Sequence, residues 1–214
     1  MQGQVADVMR NLTEGVPVVT DPSFPEDVNA RLLVVEATAE ANIKKTDPGA
    51  GQRVKQLLAV AVRASTSAKK VMWLHKAADV SAAAVAPVSA CRTGCDSCCH
   101  IEARISRLEA RVLGRAIGRE IVEAEQHQPV NVQGYEAPCP FLVDHQCSVY
   151  AVRPTVCRTH FNLDEDDLLC RLIPGMSIPV PYYDTRIFAF AGVAMEPDEG
   201  QWADIRQWFG APKS

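Results

Sequence analysis

The sequence predicts a mainly α protein: a helical hairpin beside an irregular, cysteine-rich metal-binding module. Three observations carry that expectation. Apolar residues recur every three or four positions between Val28 and Ala78, the period of a helical face. All eight cysteines lie beyond residue 90, and four of them fall at Cys91, Cys95, Cys98 and Cys99. Prolines and glycines punctuate the stretch between the later cysteines, at Pro129, Gly134, Pro138 and Pro140, where regular structure is hard to sustain. The organisation that follows is an arm over residues 1–22, a hairpin over 23–87, the cysteine module over 88–172 and a closing segment over 173–214.

The arm is broken by Pro17 and Asp21-Pro22. Ser23-Phe24-Pro25-Glu26 reads as a helix start, with serine as cap, proline in the first turn and glutamate three residues on. Val28, Leu32, Val35, Ala39 and Ile43 then form one apolar face, and Asp47-Pro48-Gly49-Ala50-Gly51 ends it. A second, longer helix is expected from about Gln52 to Val85, lined by Leu57, Ala61, Ala64, Ala68, Val71, His75 and Ala78. Its small residues allow close helix–helix approach. The pair reads as core, or as helices that bind a protein partner. His75 on the apolar face reads as a packed histidine with one hydrogen bond.

Ser106-Arg107-Leu108-Glu109 is a second capping-box pattern. It opens a helix to about Gln126, in which Gly114 and Gly118 weaken the helix or mark close packing. Arg104, Arg107, Arg111, Arg115 and Arg119 form a stripe on such a helix, interleaved with Glu102, Glu109, Glu120, Glu123 and Glu125. That reads as a solvated, salt-bridged face, or as a contact for an anionic partner. Pro154 starts a short helix carrying Cys157 and Arg158, and Asn162 caps a turn running from Asp164 to Leu172. Prolines from Pro174 to Pro181 exclude regular structure. Ile187-Phe188-Ala189-Phe190 is a strand or a core helix, which periodicity does not decide. Trp202, Ile205 and Trp208-Phe209 read as a closing helix with an aromatic face.

Composition excludes some functions. With 22 basic against 26 acidic residues the net charge is −4, so nucleic acid is an unlikely partner. No run approaches the roughly 20 apolar residues a membrane span needs. The first residues, Met1 to Leu12, have no basic patch followed by an apolar run, so no secretory signal is read there. The expected compartment is the cytoplasm, where thiols stay reduced. Eight cysteines there suggest metal ligation rather than disulfides, of which there would be 105 pairings.

Cys95 and Cys98 are three apart and can share one ion in a turn, with Cys91 closing on it. Cys99 follows Cys98 directly, so the two side chains diverge; Cys99 faces a second ion or packs as a small apolar residue. Cys139, Cys147, Cys157 and Cys170 are separated by eight, ten and thirteen positions, so only the fold can gather them. All eight are candidate ligands for zinc or iron. His100, His145 and His160 are reserve ligands. Arg153 and Arg158 read as donors behind metal-bound thiolates, or as ion pairs with Asp144 or Asp164. Tyr150 reads as core. The spacing Cys91-x3-Cys95-x2-Cys98 is similar to that of radical SAM enzymes, although Ser97 stands where that family has an aromatic residue. It makes a three-thiolate [4Fe–4S] centre sterically reasonable.

Cys91, Cys95 and Cys98-Cys99, with the strings Cys139-Pro140-Phe141-Leu142, Cys147-Ser148-Val149-Tyr150 and Arg153-Pro154-x-x-Cys157-Arg158, together resemble the CxxCxxCC cysteine-cluster family (YkgJ-like), over roughly residues 91–160. The chain departs from that pattern in having three residues, not two, between Cys91 and Cys95. The resemblance implies zinc or iron chelation and leaves the reaction, if any, open. A related branch resembles protein lysine methylases acting on flagellin, which implies an enzyme alternative by analogy. Three roles are therefore expected to compete. One is a metal-binding protein with a thiolate centre. Another is an iron–sulfur enzyme of methyl transfer or redox type. The third is an adaptor whose metal only holds shape.

Overall fold

A computed structural model describes residues 20–122, 137–196 and 201–210. The fold is mainly helical, and the cysteine-rich region is irregular, as expected. The first helical face is divided in two. Helix α1 spans Glu26–Leu32 and α2 spans Val35–Ile43. Between them Leu33 and Val34 are 77% and 55% exposed. Pro25 itself occupies the cap position of α1, and no side chain caps it. Ser23 turns its hydroxyl to Asp21 instead. Glu26 and Asp27 in the first turn complement the helix dipole.

The hairpin lies further along the chain than its expected position. The segment from 52 to 85 is two helices, α3 (Ala50–Arg63) and α4 (Ser67–Val85), folded back on each other. Ala64 is extended, and Thr66 caps α4 by accepting from Lys69 N–H. Ser65-Thr66-Ser67 was the local signal for that break. Val54, Leu58 and Ala61 pack on Val71, Leu74, Ala77 and Ala78. Helix α7 (Arg186–Met195) completes this core with Phe188, Ala191 and Met195, so the Ile187–Phe190 ambiguity resolves as helix. Ala68, expected inside, is exposed because it sits in the first turn beside the reversal.

Helices α1 and α2 pack instead on the loop that carries the last cysteine. Val28, Leu32 and Val35 bury Leu169, and Ala39 and Ile43 lie against Phe161, Leu163 and Val85. Arg31 pairs with Asp164, Glu165 and Asp166, each at 2.9 Å, and Asn42 Nδ2 donates to Leu163 O.

A second core holds the carboxy-terminal segment to the module. Strands β1 (Arg104–Ser106) and β4 (Trp202–Asp204) pair antiparallel, with Ile105 opposite Ala203. Helix α8 (Ile205–Phe209) follows β4, capped by a reciprocal Asp204–Gln207 box. Trp208 is completely buried, and its indole N–H lies 3.2 Å from both Ile105 O and Ala203 O. Trp202 thus belongs to a strand rather than to the closing helix. Helix α5 (Arg107–Ile117) is shorter than expected. It stops at Gly118, whose φ of 66° is left-handed, a conformation that glycine adopts without strain. The chain then doubles back so closely that a Cβ on Gly114 would stand 2.5 Å from Arg119 O. Gln126, the expected end, lies outside the described residues.

The arginine stripe therefore does not exist as read. Arg104 is on β1 and Arg119 lies past the helix end. Arg119 donates to Phe209 O and sits 5.7 Å from the ring centres of both Phe141 and Phe209. Strands β2 (Leu142–Val143) and β3 (Gln146–Cys147) form a hairpin whose two loop residues, Asp144 and His145, both have positive φ, the requirement of a type I′ turn. The short helix α6 spans Thr155–Thr159 after Pro154, as expected. Among the described residues no helix is long and apolar enough to cross a membrane.

Candidate metal centre

All eight cysteines are described, and none is in a disulfide. The Cys91–Cys99 stretch is a chain of tight turns. Cys95 N–H donates to Arg92 O, and Gly94 at φ 87° allows the reversal between Cys91 and Cys95. A single 3₁₀ turn, Ser97–Cys99, follows and leaves the Cys98 and Cys99 thiols in contact with each other.

The fold divides the thiols into two neighbourhoods. Cys91, Cys95 and Cys170 are half-buried neighbours: Cys95 opposes ionisation of Cys91, and both oppose that of Cys170. Burial, reinforced by Cys95 and Cys91, pushes the Cys170 thiol up to about 12. The Tyr182 hydroxyl is raised by burial and by Cys170, Cys98, Cys91 and Cys95 together; Cys98 also contacts the Cys99 thiol, so it lies between the two neighbourhoods. One residue ties this group by geometry. Asn162, 1% exposed, donates its backbone N–H to Cys91 Sγ and its Nδ2 to Cys170 Sγ, both at 3.4 Å. Nδ2 also donates to Asp166 O, and Oδ1 accepts from Asp164 N–H. Asn162 caps no helix. The only regular piece in that loop is a 3₁₀ turn, Leu168–Cys170.

The second neighbourhood holds Cys99, Cys139, Cys147 and Cys157. The pKa of Cys99 is raised by the adjacent Cys98 thiol and by burial. Burial pushes Cys139 up to about 12, with Cys99 and Cys147 adding to it. Cys157 is raised by burial and by Cys139, Cys99 and Cys147. It carries exposed surface although it lies deep in the mass of the protein. Two backbone links draw the group together. Cys139 N–H donates to Cys99 O at 2.7 Å, and Cys147 sits opposite Leu142 on the hairpin that begins three residues after Cys139.

Arg206 closes this side. Its guanidinium donates to Cys99 O, Ile101 O and Ala137 O and to both oxygens of Asp204. Asp204 also accepts from Ala103 N–H at 2.7 Å. Sequence reasoning missed Arg206 because its partners are carbonyls of remote residues. It also missed Glu109, which was read as a capping or solvated residue. Ser106 does cap α5, accepting from Glu109 N–H, but the Glu109 side chain points inward. Its Oε1 accepts from Thr155 N–H and Thr155 Oγ1, both at 2.8 Å, and lies 3.1 Å from His75 Nε2. Its position between Leu108 and Ala110, four before Leu113, was a signal that it shares the buried face.

Burial alone would raise the Glu109 carboxyl, but the His75 contact and the Thr155 donors outweigh it and hold the group below 4.5. A folded-state value below the unfolded one means stability that is present above about pH 4.5 and is lost as pH falls through the lower folded value. Urea unfolding between pH 6 and pH 3 is expected to show that loss. Glu109→Gln should flatten it, and an unaltered profile in that variant would remove the assignment.

The reserve residues have other partners. His145 is exposed and 2.8 Å from Asp96, and His100 is 3.6 Å from the same carboxylate. His75 is packed with one hydrogen bond, as read. His160 is different: its Nε2 is buried without a hydrogen-bond partner, and its ring lies 4.0 Å from that of Tyr182. Burial lowers its pKa to about 4, which keeps the imidazole neutral. Neither expected arginine partner is realised. Arg158 pairs with Asp79 at 2.7 Å and donates to Arg153 O and Ala151 O. Arg153 lies over the Tyr150 ring at 3.7 Å. Tyr150, read as core, is 64% exposed, since only the arginine covers it.

Among the described residues no three His, Cys, Asp or Glu side chains form a group that holds an ion in this geometry. No curated protein and no solved structure matches the chain. The thiol-bearing stretch does have a counterpart: residues 90–172 match the model of the CxxCxxCC family, described as "Putative zinc- or iron-chelating domain".

Proposed function

We propose that this protein binds zinc or iron as cysteine thiolates at two sites. Cys91, Cys95, Cys98 and Cys170 would hold one ion, and Cys99, Cys139, Cys147 and Cys157 the other. The observation that carries this reading is the pair of N–H···S bonds from Asn162 to Cys91 and Cys170. Donors to sulfur are the usual support behind metal-bound thiolates. The donor set fits the metals, because thiolate suits zinc and iron. The eight cysteines are reduced; neighbouring thiols oppose the ionisation of Cys91, Cys99, Cys139, Cys147, Cys157 and Cys170, and a cation reverses that sign. Each group would close on its ion as the thiols lose their protons. The unpartnered His160 Nε2 is a ninth donor next to the first group.

The ion would supply cross-linking between segments that are remote in sequence. Apparent binding free energies for structural zinc of about 10–16 kcal/mol are ample for that. Metal analysis of anaerobically purified full-length protein is the test. About two atoms per chain is expected, and fewer than about 0.3 would reject the proposal. The visible spectrum separates the metals: colourless protein points to zinc. Brown colour with absorption near 400 nm points to iron–sulfur chemistry, which the spacing Cys91-x3-Cys95-x2-Cys98 accommodates. That outcome would reopen the methyl-transfer or redox alternative.

A further inference from the structure

A cavity of about 180 Å³ lies between the hairpin, α7 and the β1–β4 pair. A dry apolar cavity of about 150 Å³ takes a benzene molecule, so this one has room for a ring or a short branched chain with a small polar group. Its walls are Leu74, Val156, Phe188, Val193 and Trp202. They are held in place from behind: Leu74 and Phe188 belong to the main core, and the Trp202 ring is seated against Gly192, where a Cβ would come within 2.8 Å.

The charged groups on the wall are unequal. Glu109 lines the cavity, but its Oε1 already accepts twice from Thr155 and lies 3.1 Å from His75 Nε2. Arg104 also lines it, and its Nε is buried without a hydrogen-bond partner. The Glu102 carboxylate is 3.9 Å from that nitrogen, beyond hydrogen-bond reach. The cavity thus presents apolar walls, the hydrogen-bonded Glu109 carboxylate and, in Arg104, a cation that is ion-paired with Glu102 yet keeps an unused Nε donor. The hydroxyl residues Thr159 and Thr185 also border it. None of these side chains is a proposed metal ligand.

We propose that this cavity is a binding site for a small apolar carboxylate, its hydrocarbon part between Phe188, Val193 and Trp202 and its carboxylate on Arg104. The wall residue Val156 is on α6, next to Cys157, so the occupant would sit one residue away from the second thiol group. The proposal does not require bound metal.

Benzoate, benzamide and benzylamine share a ring and differ in charge, and each can be titrated into ¹⁵N-labelled full-length protein while the Trp202 indole N–H resonance is followed. Benzoate is expected to shift that resonance saturably, and the neutral and cationic probes to bind at least about tenfold more weakly, as loss of a charge-assisted hydrogen bond implies. Arg104→Met should bring benzoate down to the affinity of benzamide and leave benzamide unchanged. Equal binding of the three probes to the unaltered protein would overturn the proposal without reference to any variant. So would no saturable Trp202 shift with benzoate, or retention of full benzoate affinity in a folded Arg104→Met protein.

Discussion

Arg206→Met is expected to destabilise the protein by about 3–5 kcal/mol, the cost of breaking a buried ion pair by removing one partner. Arg206 is 9% exposed and Asp204 is fully buried, so water cannot replace the guanidinium. The substitution leaves the Asp204 carboxylate with three backbone donors, Ala103 N–H at 2.7 Å, Arg206 N–H at 2.8 Å and the Gln207 N–H of the capping box, but with no opposing charge. It also frees the carbonyls of Cys99, Ile101 and Ala137. Those carbonyls lie on both sides of the Cys99–Cys139 hydrogen bond, so the second thiol group should loosen along with the global loss. Urea unfolding followed by tryptophan emission measures the first effect. The rate at which Cys139 reacts with a thiol reagent measures the second. Arg186→Met is the control, since the Arg186–Asp184 pair is exposed on both sides and exposed pairs contribute little. An Arg206→Met protein as stable as that control would show that the guanidinium is dispensable.

Asn162→Ala should cost about 2–4 kcal/mol and, with metal bound as proposed, about 10–100-fold in affinity. The amide side chain makes three bonds, to Asp166 O, Cys170 Sγ and Asp164 N–H, and the site has no water-exposed face to replace them. Its backbone bond to Cys91 Sγ would survive, so Cys91 should keep its place while Cys170 loses its donor. Asn162→Asp keeps the shape and the contact with Asp164 N–H. It exchanges the donor toward sulfur for a negative charge, so its affinity should fall further than that of Asn162→Ala although it is closer in size. Competition against a chromophoric chelator reads the affinities, and urea unfolding of the metal-free protein reads the stability. A protein that loses stability but retains full metal affinity in both variants would make Asn162 a loop-builder only and would remove the observation on which the two-site reading rests.

Arg206 and Asn162 show why part of the site was not readable from the sequence. Neither has a distinctive neighbourhood in the chain. Arg206 sits in a closing helix that was recognised by its aromatic residues, and Asn162 resembled an ordinary cap. Their importance comes from what the fold brings to them: the Cys99 carbonyl from more than a hundred residues earlier, and the Cys91 sulfur from the far side of the module. The same holds for the helix pair at Glu26–Leu32 and Val35–Ile43. Its apolar period was visible, but a period shows only that a face is buried. The partner turned out to be the loop around Leu169 rather than the helices that follow in the chain. Errors of extent had a local cause. Thr66 breaks the long helix and Gly118 ends the next one, and both carry signals that sustained periodicity obscured.

The sequence by itself determined the helical class, the capping serine at Ser106, the short helix after Pro154 and the concentration of every thiol beyond residue 90, because each depends on residues a turn or two apart. The tertiary structure alone decided which thiols are neighbours, that Glu109 faces inward and that Arg104 borders a cavity. These depend on contacts between distant segments, where burial and the pairing of opposite charges select the partner, and no local spacing encodes that choice.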